Sequence, residues 1–144
     1  MKFNTLGVLK ILLWFIAAFH LIVGMGLNVS PEFPQLMAQY YGAQVNWTPE
    51  FLYIVKPIGA FMFALGVMAA LAARDPLSNV PVVYGFVVLF AFRGLQRLIF
   101  QSEIESAVAI ASGRNFTAAI FFLLMGAALL VILRFAGKQA DTTT

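Results

Sequence analysis

Arg93 and Arg97 stand four positions apart in an otherwise apolar stretch, with Gln96 between them. On a helix that spacing puts both guanidinium groups on one face and Gln96 on its edge. Arginine stays charged and presents a rigid fork of N–H donors that matches carboxylate or phosphate oxygens. Carrying it into hydrocarbon costs about 2.5 to 3.5 kcal/mol on insertion scales, so this face is expected to turn toward the bundle interior or a wet cavity. Depth along a helix, at ~1.5 Å per residue, sets His20 and Arg93 roughly 10 Å below the outer boundary, Lys56 about 7 Å and Arg97 about 5 Å. His20, Lys56, Arg93, Gln96 and Arg97 are therefore the expected ligand-binding set.

No carboxylate falls inside the apolar stretches that carry these cations. The candidate counter-ions are Glu50, Glu103 and Glu105, which flank them and would have to fold over the outer mouth. Failing that, the partner is expected to be an anion or polar oxygen from outside the chain, such as a lipid phosphate, a carboxylate or a quinone. Each residue also has a plainer use. Arg97 lies in the last turn of its helix, where the dipole favours a cation that snorkels to headgroups. Lys56 can snorkel too, but near a helix start, where the dipole disfavours it. Arg93 is too deep to snorkel easily, and a histidine such as His20 is more often an interhelical hydrogen-bonding group than a proton relay. Phe90, Phe92 and Tyr84 are of a kind to line a flat hydrophobic ligand site.

Absent residues exclude much else. The chain has no cysteine and one histidine, which removes disulfides, thiolate metal sites and cysteine nucleophiles and leaves no histidine-rich metal or haem site. There is no G-x-S-x-G, phosphate loop, HExxH or paired intramembrane carboxylate, so no catalytic residue, metal or resident cofactor is expected. Asn28, Asn46 and Asn115 head N-x-[ST] triplets, a pattern short enough to recur by chance.

The elements that must position the cations follow from composition. Of 144 residues, 62% are hydrophobic and 10% charged, an apolar excess too large for a water-facing surface. An integral membrane, all-α bundle of four helices is expected, in one domain, with spans at about 6–27, 51–73, 80–100 and 116–135. A cleavable signal peptide competes for the first stretch, but its apolar core is long and lacks a clear small-x-small site. Between the first two spans Asn28 to Glu50 is expected to form a structured outer loop, in which Ser30-Pro31-Glu32 resembles a helix start and Pro34 to Tyr41 is long enough for two short turns. Trp47-Thr48-Pro49-Glu50 supplies an aromatic anchor, a capping hydroxyl and an N-terminal proline for the second span. Arg74-Asp75-Pro76 ends it, and Asn79 with Pro81 opens the third. Ile104, Val108 and Ile110 or Ala111 are expected to line a short interfacial helix ended by Ser112-Gly113. Ala60-x-x-x-Ala64, Gly59, Gly66, Gly24, Gly26 and Gly126 offer small surfaces for close helix contact.

Lys2, Lys10, Arg74, Arg134 and Lys138 gather on one side, against Arg114 on the other, which predicts both chain ends on the cytoplasmic face of an inner, or plasma, membrane. The net charge of +3 is thereby assigned to topology, and no nucleic-acid partner is expected.

Over Lys56-Pro57-Ile58-Gly59-Ala60 through Ala72-Ala73-Arg74-Asp75-Pro76, and over Phe92-Arg93-Gly94-Leu95-Gln96-Arg97, the chain resembles the small four-helix bacterial membrane proteins called BphX-like, and more distantly the DoxX group. That resemblance implies an inner-membrane protein of uncharacterised role. DoxX relatives include a subunit of a membrane thiosulfate:quinone oxidoreductase, so the resemblance also implies a redox-associated role, although no catalytic residue is matched. Three readings remain open: a non-enzymatic protein binding a lipid, an anionic or quinone-like amphiphile or a partner subunit; an accessory subunit of a quinone-linked redox complex; and a structural assembly subunit, alone or as a homo-oligomer.

Overall fold

A computed structural model describes residues 4–141. Among them the chain is helical, with no strand: α1 Thr5–Val29, α2 Glu32–Tyr41, α3 Pro49–Arg74, α4 Val80–Ile99, α5 Gln101–Val108 and α6 Ser112–Asp141. Four of these, α1, α3, α4 and α6, are long and apolar enough to cross a membrane, and the protein has the architecture of a multi-pass membrane protein. Lys2 lies outside the described residues.

Each boundary has a local cause. The Asn4 side chain accepts from the Gly7 amide at 3.0 Å and starts α1. Ser30 ends α1 in extended backbone, accepts from the Phe33 amide at 3.2 Å, and donates its hydroxyl to Glu32 at 2.8 Å, so α2 begins two residues later. Within the structured loop between the first two spans, the expected helix start opens a single helix, α2, closed by Gly42 in the left-handed region at φ 73°. Thr48 caps α3 by accepting from the Phe51 amide at 3.2 Å, with Pro49 at the first helical position.

Two boundaries differ from expectation. Asn79 precedes α4 without capping it, because its side chain donates back to the Asp75 carbonyl at 2.8 Å and helps close the turn. Ser112-Gly113 starts α6 instead of ending the preceding helix: α5 stops at Ala109, which takes the left-handed conformation (φ 54°) and donates to the Glu105 carbonyl at 3.0 Å. The last span therefore begins about a turn before Phe116.

The long helices associate as two tight pairs, α1 with α3 and α4 with α6, and α1 also packs on α6. A side-chain carbon added at Gly24 would lie 2.5 Å from the Phe63 backbone nitrogen and 2.8 Å from the Gly59 carbonyl, so α1 and α3 touch backbone to backbone there. Gly59 and Gly66 carry the α3 side of that contact, whereas Ala60 and Ala64 are exposed and take no part in it.

The shared core lies in the half of the bundle that holds the chain ends. It is built from Leu9, Leu13, Ile16 and Ala17 of α1, Ala69, Ala72 and Ala73 of α3, Val83, Phe86 and Phe90 of α4, and Leu129, Leu133 and Ala136 of α6. Thr5 donates to Gln139 across that end. Toward the opposite end the pairs stay closed internally, at Gly24 against Gly59 and at Gly94 against Ala119, but the core between the pairs ends near His20 and Phe90. Above that level the α4–α6 pair presents polar groups on its surface.

Candidate functional site

The α4 residues of the expected set do converge. Arg93, Gln96 and Arg97 line one cleft of about 420 Å³, whose apolar wall is Phe100, Ile104, Val108 and Ile110. The 3.6-residue period of α4 turns the three polar side chains together, and the chain's immediate restart as α5 brings Ile104 and Val108, one turn apart, over them.

Arg97 is fixed by α6. Its Nη1 donates to Asn115 Oδ1 at 2.8 Å, and Asn115 Nδ2 donates to the Arg97 carbonyl at 2.7 Å. Asn115 is buried, so this reciprocal clamp satisfies an amide that would otherwise be desolvated without a partner. Phe122, two turns further along α6, holds the other side: Arg93 Cζ lies 5.0 Å and Arg97 Cζ 5.8 Å from its ring centroid. One aromatic ring thus carries two guanidinium groups. Arg93 is exposed on the cleft wall, and among the described residues it makes no hydrogen bond and no ion pair.

The other expected members do not join the cleft. His20 is buried, its Nδ1 lies 2.8 Å from the carbonyl of Ile16, and its ring packs edge-on against Phe86 and Phe90 at centroid distances of 5.9 and 6.3 Å. It sits near enough to Arg93 to feel its charge but roofs the core and lines no hollow with it. Lys56 is exposed on a separate hollow of about 140 Å³ with Asn28, Ser30 and Pro34. The reason is pairing: α3 packs on α1 and scarcely meets α4 at this level, so equal depth does not bring Lys56 to Arg93.

The candidate counter-ions are also elsewhere. Glu50 stands exposed at the start of α3, and Glu103 is exposed on α5. Glu105 accepts from the Ser112 hydroxyl at 2.6 Å. With Ile104 and Val108 turned inward, the helical period directs both α5 acids away from the arginines, and no carboxylate among the described residues lines the cleft.

Of the aromatic candidates, Phe90 is part of the core and Tyr84 is exposed. Phe92 lines an apolar groove of about 590 Å³ between α3 and α4 with Leu65, Met68 and Leu89. Two glycosylation triplets are spent structurally, since Asn28 donates to the Gly24 carbonyl at 2.9 Å and Asn115 is buried.

Three α6 positions lie outside the expected set: Asn115 and Phe122, which meet the cleft arginines, and Arg114. Arg114 Nη1 donates to the Tyr40 carbonyl at 3.1 Å and ties α2 to α6. It lines a second hollow, of about 630 Å³, with Tyr40, Tyr41, Thr117, Phe121 and Phe122. The available signal was Arg114-Asn115 followed by Ala118-Ala119 and Phe121-Phe122, a helical run that starts before the apolar stretch does. No protein-family model, no curated protein and no solved structure matches the chain.

Proposed function

We propose that this multi-pass membrane protein binds an amphiphile from the surrounding bilayer through the Arg93–Gln96–Arg97 cleft, and that it works by binding and presenting that molecule without catalysing a reaction on it. One observation carries this reading. The Arg93 guanidinium sits six residues from the end of α4, about 9 Å along its axis, open to the cleft, with an aromatic ring beneath it and no carboxylate to neutralise it. A cation held at that depth needs a polar or negative partner. The cleft's apolar wall, Phe100 with Ile104, Val108 and Ile110, suits a molecule whose remainder is hydrocarbon.

The same reading makes the α2 and α5 side the outer face and both chain ends cytoplasmic, in an inner-membrane protein like the BphX-like family it resembles. The basic residues Lys10, Arg74, Arg134 and Lys138 at the core end support that orientation.

The test is extraction of the protein in mild detergent, native mass spectrometry, and identification of what stays bound. Wild type should hold about one amphiphile per chain, and Arg93→Ala should lose it. Retention at wild-type stoichiometry by a folded Arg93→Ala protein overturns the assignment.

A further inference from the structure

The cleft and the Arg114 hollow share a wall. Phe122 lines the hollow of Tyr40, Tyr41 and Arg114, and the same ring carries Arg93 and Arg97. Two guanidinium groups thus rest on a ring that also lines the hollow of Arg114, and among the described residues no carboxylate lines the cleft or the hollow.

Resting on the amphiphile reading above, we infer that the two hollows form one site beside Phe122, and that its ligand carries a phosphate ester, held by Arg93 and Arg97 in the cleft with Arg114 reaching it from the adjoining hollow. A quinone satisfies the apolar wall but is neutral, and would leave the Arg93 charge uncompensated at membrane depth. A phosphate ester supplies the missing charge, and its oxygens accept paired N–H donors in the fork geometry that arginine presents. Donors remain for it. Arg93 spends none on the chain's described residues, Arg97 gives one to Asn115, and Arg114 gives one to Tyr40. Arg97 and Arg114 are pre-positioned by those bonds, which lowers the ordering cost of binding. Phe121 beside the hollow and Ile104 and Val108 beside the cleft give hydrocarbon tails two exits from one head position.

The full chain in detergent is titrated with dihexanoyl phosphatidic acid, dihexanoyl phosphatidylcholine, a short-chain quinone and inorganic phosphate, following bound mass and the thermal unfolding midpoint. Phosphatidic acid should bind at one per chain, better than phosphatidylcholine, and weaken as salt is raised. Arg93→Gln and Arg114→Gln should each weaken it about tenfold or more, the loss expected when a charge-assisted hydrogen bond is removed. Arg114 is exposed and its change leaves the α4–α6 clamp intact, so that variant reports on the site even if Arg93→Gln fails to fold. Binding of inorganic phosphate at comparable concentration identifies a free oxyanion as the source; binding of the lipid alone identifies a headgroup. Either upholds the phosphate assignment. Retention of the quinone with rejection of phosphatidic acid overturns it while leaving the amphiphile reading intact, and rejection of both overturns both. Undiminished binding by Arg114→Gln overturns the joined site.

Discussion

Asn115 shows how one side chain can decide what its neighbour is available to do. Buried at the start of α6, it accepts from the Arg97 guanidinium and returns a hydrogen bond to the Arg97 carbonyl, so the last turn of α4 is locked to the facing helix. Replacing it with leucine keeps the volume and removes both bonds. The expected cost is about 1 to 3 kcal/mol, the usual penalty for stranding a buried hydrogen-bonding partner, seen as a lower unfolding midpoint in detergent. Arg93 contrasts with Arg97 at the same residue scale. It shares the Phe122 ring but has no such clamp, which is why its loss is predicted to remove the ligand with less effect on the fold.

Elements here are joined by contacts that tolerate little change. The α1–α3 pair depends on Gly24 meeting the backbone of Phe63, and Gly24→Ala places a methyl where no flexible side chain can give way. A loss of about 1 to 3 kcal/mol is expected, as for other over-packed contacts, measured as a reduced unfolding midpoint; Gly85→Ala, whose added carbon meets nothing within 4 Å, should be close to neutral. The short α3–α4 turn rests instead on hydrogen bonds to a charged carboxylate. Asp75 accepts from the Ser78 hydroxyl at 2.6 Å and the Ser78 amide at 3.3 Å, and these bonds hold its carboxyl below the ordinary value of 3.8. A depressed pKa means the ionised carboxylate stabilises the fold: its contribution is complete above the ordinary value and disappears as pH falls through the lower, folded one. Amide exchange at Ser78, corrected for its intrinsic pH dependence, should accelerate over that acidic interval in wild type and be fast and pH-independent in Asp75→Asn.

For the whole molecule, the asymmetry of the core is the governing feature. The end bearing both termini is packed across all four long helices, while at the other end the two pairs part and are bridged by surface pieces: Arg114 to Tyr40, and the Gln44 amide to the Val108 carbonyl at 2.8 Å. The proposed orientation can be read directly because the chain contains no cysteine. Ser106→Cys should react with a membrane-impermeant maleimide added to intact cells, and Lys138→Cys only after permeabilisation; the opposite pattern inverts the topology and moves the cleft to the cytoplasmic half.

Four long apolar helices were legible from the chain alone, because hydrocarbon demands about 20 consecutive apolar residues with every backbone group satisfied internally, and such runs are written locally. The Arg93–Gln96–Arg97 face was legible for the same kind of reason, since residues four apart on one helix must share a side. Depth read from position along each span is only one coordinate of three. Which helices pair is decided by the approach of Gly24 to Gly59 and of Gly94 to Ala119, contacts between residues far apart in the chain, and that pairing separates Lys56 from Arg93 and leaves His20 over the core. Asn115, Phe122 and Arg114 reach the arginines only because α6 lies against α4, so their part in the site comes from packing and has no signature in local sequence.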